Sequence, residues 1–124
     1  MKSYLSYSSI VEAITGLGLL IAPSKVVLLL LEMELNGSLE IILAMIAGAA
    51  IFSLALNCWL SRADAAAPVA IKTLLFYNFA VAAILLYGAL GLEFKGPALW
   101  LVIIFHFFQT VMGILIINKK SKTH

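Results

Sequence analysis

Five polar side chains lie inside long apolar stretches of this sequence, where a polar group is costly and suggests a functional role. Glu12 and His106 can bind and release protons, whereas Ser53, Asn78 and Gln109 donate and accept hydrogen bonds only. These residue types suit a proton-binding or ligand-binding site. They also suit hydrogen bonds that hold neighbouring helices together, so both interpretations stay open for each residue.

Glu12 is the residue in this set with the widest range of possible chemical roles. A low-dielectric environment disfavours a carboxylate unless a cation or several hydrogen-bond donors compensate. In the functional interpretation, Glu12 binds a proton or ligand, with His106, Asn78 or Gln109 as its partner. In the structural interpretation, it is a neutral, hydrogen-bonded carboxyl group or lies closer to the membrane surface.

His106 lies among Phe105, Phe107 and Phe108 and is open to three roles. It is a proton acceptor, a cofactor ligand, or a packed residue that hydrogen-bonds a neighbouring helix. Haem would require an axial partner, and no Cys/His pair has zinc-like spacing. The sequence therefore predicts no metal site and identifies no cofactor.

The composition indicates that lipid is part of the solvent for this chain. Hydrophobic residues make up 64% and charged residues 11% of the 124 residues, with a mean hydropathy of +1.12. Soluble domains carry about 25% charged residues. Four stretches are long enough to cross the hydrocarbon core, which needs about 20 apolar residues; they are residues 4–22, 41–60, 69–92 and 97–118.

We therefore predict an all-α integral membrane protein with one domain over residues 1–124, built as an antiparallel bundle of four transmembrane helices. The apolar run in residues 24–35 is too short to span and predicts an interfacial helix between the first two spans. Ala44 and Gly48 form a small-xxx-small pair, which favours close helix packing, self-association or docking to a membrane complex.

The positive charges predict the orientation in the membrane. Six basic residues fall on one side (Lys2, Arg62, Lys72, Lys119, Lys120 and Lys122) and two on the other (Lys25 and Lys95). The positive-inside rule then places both termini in the cytoplasm, as in a multi-pass protein of a bacterial inner membrane. Basic residues at helix ends indicate topology and give no support for a nucleic-acid partner.

The predicted spans place the five polar residues at similar depths. At about 1.5 Å per residue, Glu12, Ser53 and Asn78 lie roughly 12 Å from the cytoplasmic ends of their helices, Gln109 roughly 13 Å and His106 roughly 18 Å. Each helix thus contributes to one polar layer inside the bundle.

Three segments carry a family resemblance: AMIAGAAIFSLALNCWLSR, LLFYNFAVAAILLYGALG, and GPALW followed by a histidine. In this pattern the chain resembles small four-helix bacterial membrane proteins of the DoxX-like type. The resemblance implies an accessory subunit of a respiratory or oxidoreductase complex. The leading hypothesis is a non-enzymatic accessory protein or a four-helix protein that binds a small lipophile.

The position of Glu12 in the first helix is similar to that of the essential glutamate of small multidrug resistance transporters. That resemblance implies a proton-coupled exporter acting as a dimer. The chain departs from that family's Ala-Tyr-Ala-x-Trp stretch in helix two and its Gly-Val-Gly run in helix three. A membrane enzyme is a third hypothesis, for which the sequence offers no nucleophile–base pair.

Overall fold

The computed structural model describes residues 1–121, and these residues are folded into helices and short connections without a strand. The five helices are α1 (Lys2–Ile21), α2 (Pro23–Leu31), α3 (Ser38–Ser61), α4 (Ala67–Gly91) and α5 (Leu99–Ser121). The prediction of an all-helical chain with a short helix after the first long one is confirmed.

Four of these helices are long and apolar enough to cross a membrane. They correspond to the four predicted spans, with ends that differ by one to three residues. Large apolar side chains cover their outer surface: Ile21 is 80% exposed, Phe76 73% and Leu60 72%. A helix satisfies its backbone hydrogen bonds within its own segment, so such apolar surfaces are compatible with a lipid environment.

The short helix α2 is held by the connection between α4 and α5. It begins at Pro23, whose missing N–H is no loss in a first turn, and ends before Glu32, which adopts a left-handed conformation with φ 57°. The amide of Ala98 donates to the carbonyl of Leu29 over 3.1 Å. A turn at residues 97–98 precedes α5, and this is why the helix begins later than the sequence suggests.

Helices α1 and α3 pack closely where two glycines meet. A Cβ placed on Gly48 would lie 2.8 Å from the carbonyl oxygen of Gly16, and one on Gly16 would lie 2.7 Å from the amide nitrogen of Phe52. Only residues without a side chain permit this backbone approach. Gly48 therefore packs against another helix of the same chain, whereas Ala44 is half-buried.

Helices α4 and α5 form the second closely packed pair, and side chains rather than close backbone contacts join α1 to α5. The main apolar cluster lies where the beginnings of α1 and α4 meet the end of α3; it contains Tyr4, Leu5, Cys58, Ala67, Ala70, Ile71 and Leu74. The polar residues follow on from this cluster along α1, α4 and α5.

Candidate functional site

Seven polar residues lie on the surfaces that α1, α4 and α5 turn toward one another, and we call this set the polar seam. Six of them are buried and Tyr77 is half-buried. The members are Tyr4, Ser8 and Glu12 from α1, Tyr77 and Asn78 from α4, and His106 and Gln109 from α5. The seam thus combines acidic, phenolic, imidazole and amide groups in an otherwise apolar bundle.

The carboxyl group of Glu12 is enclosed, with 2% of the residue exposed. The hydroxyl of Tyr77, on α4, lies within hydrogen-bonding reach of it. Tyr4 and Cys58 lie within electrostatic reach of the same carboxyl group. Among the side chains that the structure describes, no cationic group acts on the Glu12 carboxyl group. A phenol is therefore its hydrogen-bonding partner.

Gln109 joins α5 to α1 through both its side chain and its backbone. Its side-chain nitrogen donates to the hydroxyl oxygen of Ser8 over 2.7 Å, and its backbone carbonyl accepts from the Tyr4 hydroxyl over 2.9 Å. Gln109 is 1% exposed, so both bonds are shielded from solvent. They fix the position of α5 beside the first two turns of α1.

Asn78 and His106 form the third link, between α4 and α5. The Oδ1 of Asn78 lies 2.6 Å from the Nδ1 of His106. The amide nitrogen of Asn78 donates to the Leu74 carbonyl over 2.8 Å, and the Thr110 hydroxyl donates to the carbonyl of His106 over 2.8 Å. The rings of Tyr77 and Phe105 meet the imidazole edge-on, with centroids 5.8 Å and 5.4 Å away.

The structure brings Glu12, Asn78, His106 and Gln109 into the seam and leaves Ser53 outside it. Ser53 is exposed, and its hydroxyl donates to the Ala49 carbonyl one turn earlier in α3 over 2.8 Å. Helix α3 therefore contributes none of the polar groups in the seam. Its contribution to the bundle is the close contact at Gly48.

Tyr4, Ser8 and Tyr77 are not among the site residues predicted from the sequence. A signal for two of them was present, because Tyr4, Ser8 and Glu12 follow one another at four-residue intervals and so share a helix face. Tyr77 carries no comparable signal. Its neighbour Asn78 points to the polar region, but a tyrosine near a helix end fits an interfacial anchor equally well.

An apolar groove runs along the surface between α4 and α5, beside the Asn78–His106 link. Its volume is about 340 Å³. The lining side chains include Phe79, Ala82 and Leu86 from α4, and Ile103, Phe107 and Thr110 from α5. Apart from Thr110 these side chains are apolar, so the groove suits a small apolar molecule.

Within the described part of the chain, no group of three or more His, Cys, Asp and Glu residues could hold a metal ion. The seam is suited to accepting hydrogen bonds or a proton, and the groove is suited to an apolar ligand.

Comparisons with protein-family models, with curated proteins and with solved structures find no match to this chain.

Proposed function

We propose that this chain is a membrane protein that crosses the bilayer four times and binds a small lipophile between α4 and α5, in a binding or accessory role rather than a catalytic one. The groove between these helices carries the proposal, because it has a volume of about 340 Å³ and an almost wholly apolar lining. A lipophile dissolved in the bilayer would reach it without passing through water, and apolar contacts would hold it there.

The membrane setting is supported by the four apolar helices. Neighbouring helices run antiparallel in this proposal. Tyr4 packs in the same cluster as Cys58, late in α3, whereas Gly16 meets Gly48, earlier in α3. Both termini lie in the cytoplasm of a bacterial cell, because the basic residues concentrate on that side.

The resemblance to DoxX-like proteins extends this proposal to an accessory subunit of a membrane complex, or to a homo-oligomer. The exposed face of α3 supports contact with another membrane helix, since it combines small and polar residues. Ala47, Ala50, Ser53 and Asn57 are all exposed there. In lipid, small and hydrogen-bonding residues are the ones that promote helix association.

Lipophile binding is testable by photolabelling of the reconstituted protein with a naphthalene that carries a diazirine. We expect the label on groove residues of α4 and α5, and we expect excess naphthalene to compete with it. Ala82→Phe narrows the groove and should lower this labelling severalfold. Ile14→Phe adds the same side chain to an exposed position of α1, outside the groove, and should leave it unchanged. Labelling spread evenly over all four long helices would contradict a specific site.

A proton-coupled exporter that uses Glu12 is the second candidate. The observation that favours it is a carboxyl group, 2% exposed, with a phenol and no cationic side chain as its partner. Such a group suits alternate binding of a proton and a lipophilic cation. In the structure described here the seam encloses Glu12, so export would require the seam to open.

The exporter is testable with tetraphenylphosphonium in proteoliposomes under an imposed pH gradient. Transport that depends on the gradient and is lost in Glu12→Gln would support this candidate. Thr73→Ala is the control, because Thr73 is exposed on α4 outside the seam and donates to the Val69 carbonyl of its own helix, so the change should not affect transport. Equal cation movement in protein-free liposomes would rule the exporter out and leave the binding role as the proposal.

A further inference from the structure

We infer that the lipophile bound between α4 and α5 carries a hydroxyl group, which donates a hydrogen bond to Nε2 of His106. This inference rests on the lipophile-binding function proposed above and adds the chemical class of the ligand. The aliphatic alcohols and phenols meet this description, whereas ethers, esters and ketones without an O–H group do not.

The orientation of the Asn78 side chain determines which nitrogen of His106 carries the proton. The Leu74 carbonyl can only accept, so the amide nitrogen of Asn78 faces it, at 2.8 Å. The Oδ1 of Asn78 therefore faces His106, and at 2.6 Å from Nδ1 it must accept a hydrogen from that nitrogen. A neutral imidazole with hydrogen on Nδ1 has a free lone pair on Nε2.

The Nε2 atom has no hydrogen-bond donor among residues 1–121. His106 is 7% exposed, so most of its ring is removed from the surroundings. Every fully enclosed side-chain nitrogen or oxygen in the described residues has a hydrogen-bond partner. Because Nε2 lacks one, it is not fully enclosed. An acceptor that is unpaired yet reachable from outside is suited to a ligand with a donor.

The Asn78–His106 pair lies between the same two helices as the groove. Asn78 immediately precedes Phe79, and His106 is one helical turn from both Ile103 and Thr110; these three neighbours line the groove. The pair is buried, whereas the groove is open to the outside. His106 is not among the lining side chains but lies one helical turn behind them, and in this inference the hydroxyl of the ligand reaches past them to the imidazole.

The other polar group of the groove is already engaged. The Thr110 hydroxyl donates to the backbone carbonyl of His106 over 2.8 Å. Its hydrogen is therefore committed, and a ligand carbonyl or ether finds no free donor from this residue. The Thr110 hydroxyl oxygen and Nε2 of His106 can therefore only accept from a ligand, and both favour a ligand with a donor.

The inference is testable by comparing 2-naphthol with 2-methoxynaphthalene as competitors of the diazirine label, after correction for partitioning into protein-free vesicles. For wild type we expect 2-naphthol to compete about five- to tenfold more strongly, the ratio that one net hydrogen bond provides. His106→Phe keeps an aromatic ring and should bring the ratio close to one. Tyr77→Phe keeps the ring beside His106 and should preserve the wild-type ratio.

A second measurement uses wild type alone and does not depend on the folding of a variant. Protein labelled with nitrogen-15 in histidine reports His106, and His124 is the other histidine in the sequence. We expect the Nε2 signal of His106 to be that of an unprotonated nitrogen and to shift on addition of 2-naphthol but not of 2-methoxynaphthalene. The Nδ1 signal should change little.

The outcomes separate the inference from the function on which it rests. Equal competition by the two naphthalenes, with no selective shift of Nε2, would overturn the hydroxyl requirement and leave lipophile binding intact. Labelling that neither compound competes with would overturn lipophile binding itself. A hydrogen found on Nε2 rather than Nδ1 would overturn the acceptor assignment.

Discussion

Glu12 illustrates how a polar residue is accommodated in this bundle. Its carboxyl group lies within hydrogen-bonding reach of the phenol of Tyr77, and Ser8, one turn earlier on α1, accepts a hydrogen bond from Gln109. Burying a polar group without a hydrogen-bond partner destabilises the folded state by more than one hydrogen bond stabilises it. The pairing across α1, α4 and α5 is therefore a condition for placing these residues in the interior.

At the residue scale, we expect Glu12 and Tyr77 to be energetically coupled. Glu12→Leu leaves the Tyr77 hydroxyl without its acceptor and should lower the free energy of unfolding in micelles by about 1–3 kcal/mol. Combining Glu12→Leu with Tyr77→Phe should cost less than the sum of the single changes, by about 0.5–1.5 kcal/mol.

The control for this cycle is Thr15→Val, combined with Tyr77→Phe. Thr15 is exposed on the same helix and donates to the Val11 carbonyl in its own turn. Those two changes should be additive. Additivity of Glu12→Leu with Tyr77→Phe would contradict a direct bond between the two side chains.

At the element scale, the pairing of α1 with α3 depends on the absence of side chains at two positions. Gly16 and Gly48 allow backbone atoms of the two helices to meet at distances that a Cβ would obstruct. The seam contributes nothing to this pairing, since α3 supplies none of its polar groups. Packing at the glycines and hydrogen bonding in the seam are thus two separate sources of stability.

Gly48→Ala should weaken the contact between α1 and α3. The added Cβ would lie 2.8 Å from a backbone oxygen, which cannot move aside as the end of a side chain can. We expect a loss of about 1–3 kcal/mol in the free energy of unfolding, as for overpacked sites, measured by denaturation in mixed micelles. Gly37→Ala is the matched control, because its Cβ would meet the Glu40 side chain at 3.6 Å, an ordinary contact. An equal loss for the two substitutions would contradict close packing as its cause, because alanine is otherwise the better helix former in the interior of α3.

At the scale of the whole molecule, the proposed membrane orientation rests on the apolar outer surface and the distribution of basic residues. The long helices expose leucine, isoleucine and phenylalanine side chains along their outer faces. Charged residues lie in the short helix α2 and in the connections between the long helices. Lys25, Asp64 and Lys95 are all exposed there, so each is a suitable position for a label.

Membrane orientation is testable with single cysteines and a maleimide that does not cross membranes. Applied to intact bacterial spheroplasts, it should label Lys25→Cys and Lys95→Cys, while Lys2→Cys and Asp64→Cys should react only after the membrane is opened. The native Cys58 is buried and should give little background. The reverse pattern would place both termini outside and contradict the orientation inferred from charge.

The sequence by itself determined the four long helices and the short one after the first. These features depend on local properties: the length of apolar runs, the positions of proline, and charges at the ends. A transmembrane helix satisfies its own backbone, so it can be recognised without reference to its neighbours. The ends were less certain, and the late start of α5 depends on a turn at residues 97–98 that its contact with α2 supports.

Only the tertiary structure decided which face of each helix turns inward. A helix that is apolar on all sides has no sequence period that marks its inner face, because lipid and protein interior favour the same residues. Depth alone therefore placed Ser53 beside Glu12, whereas the rotation of α3 turns Ser53 outward. The same packing brought Tyr77 to Glu12 and paired Gly48 with Gly16, and these contacts between distant segments leave no local pattern in the chain.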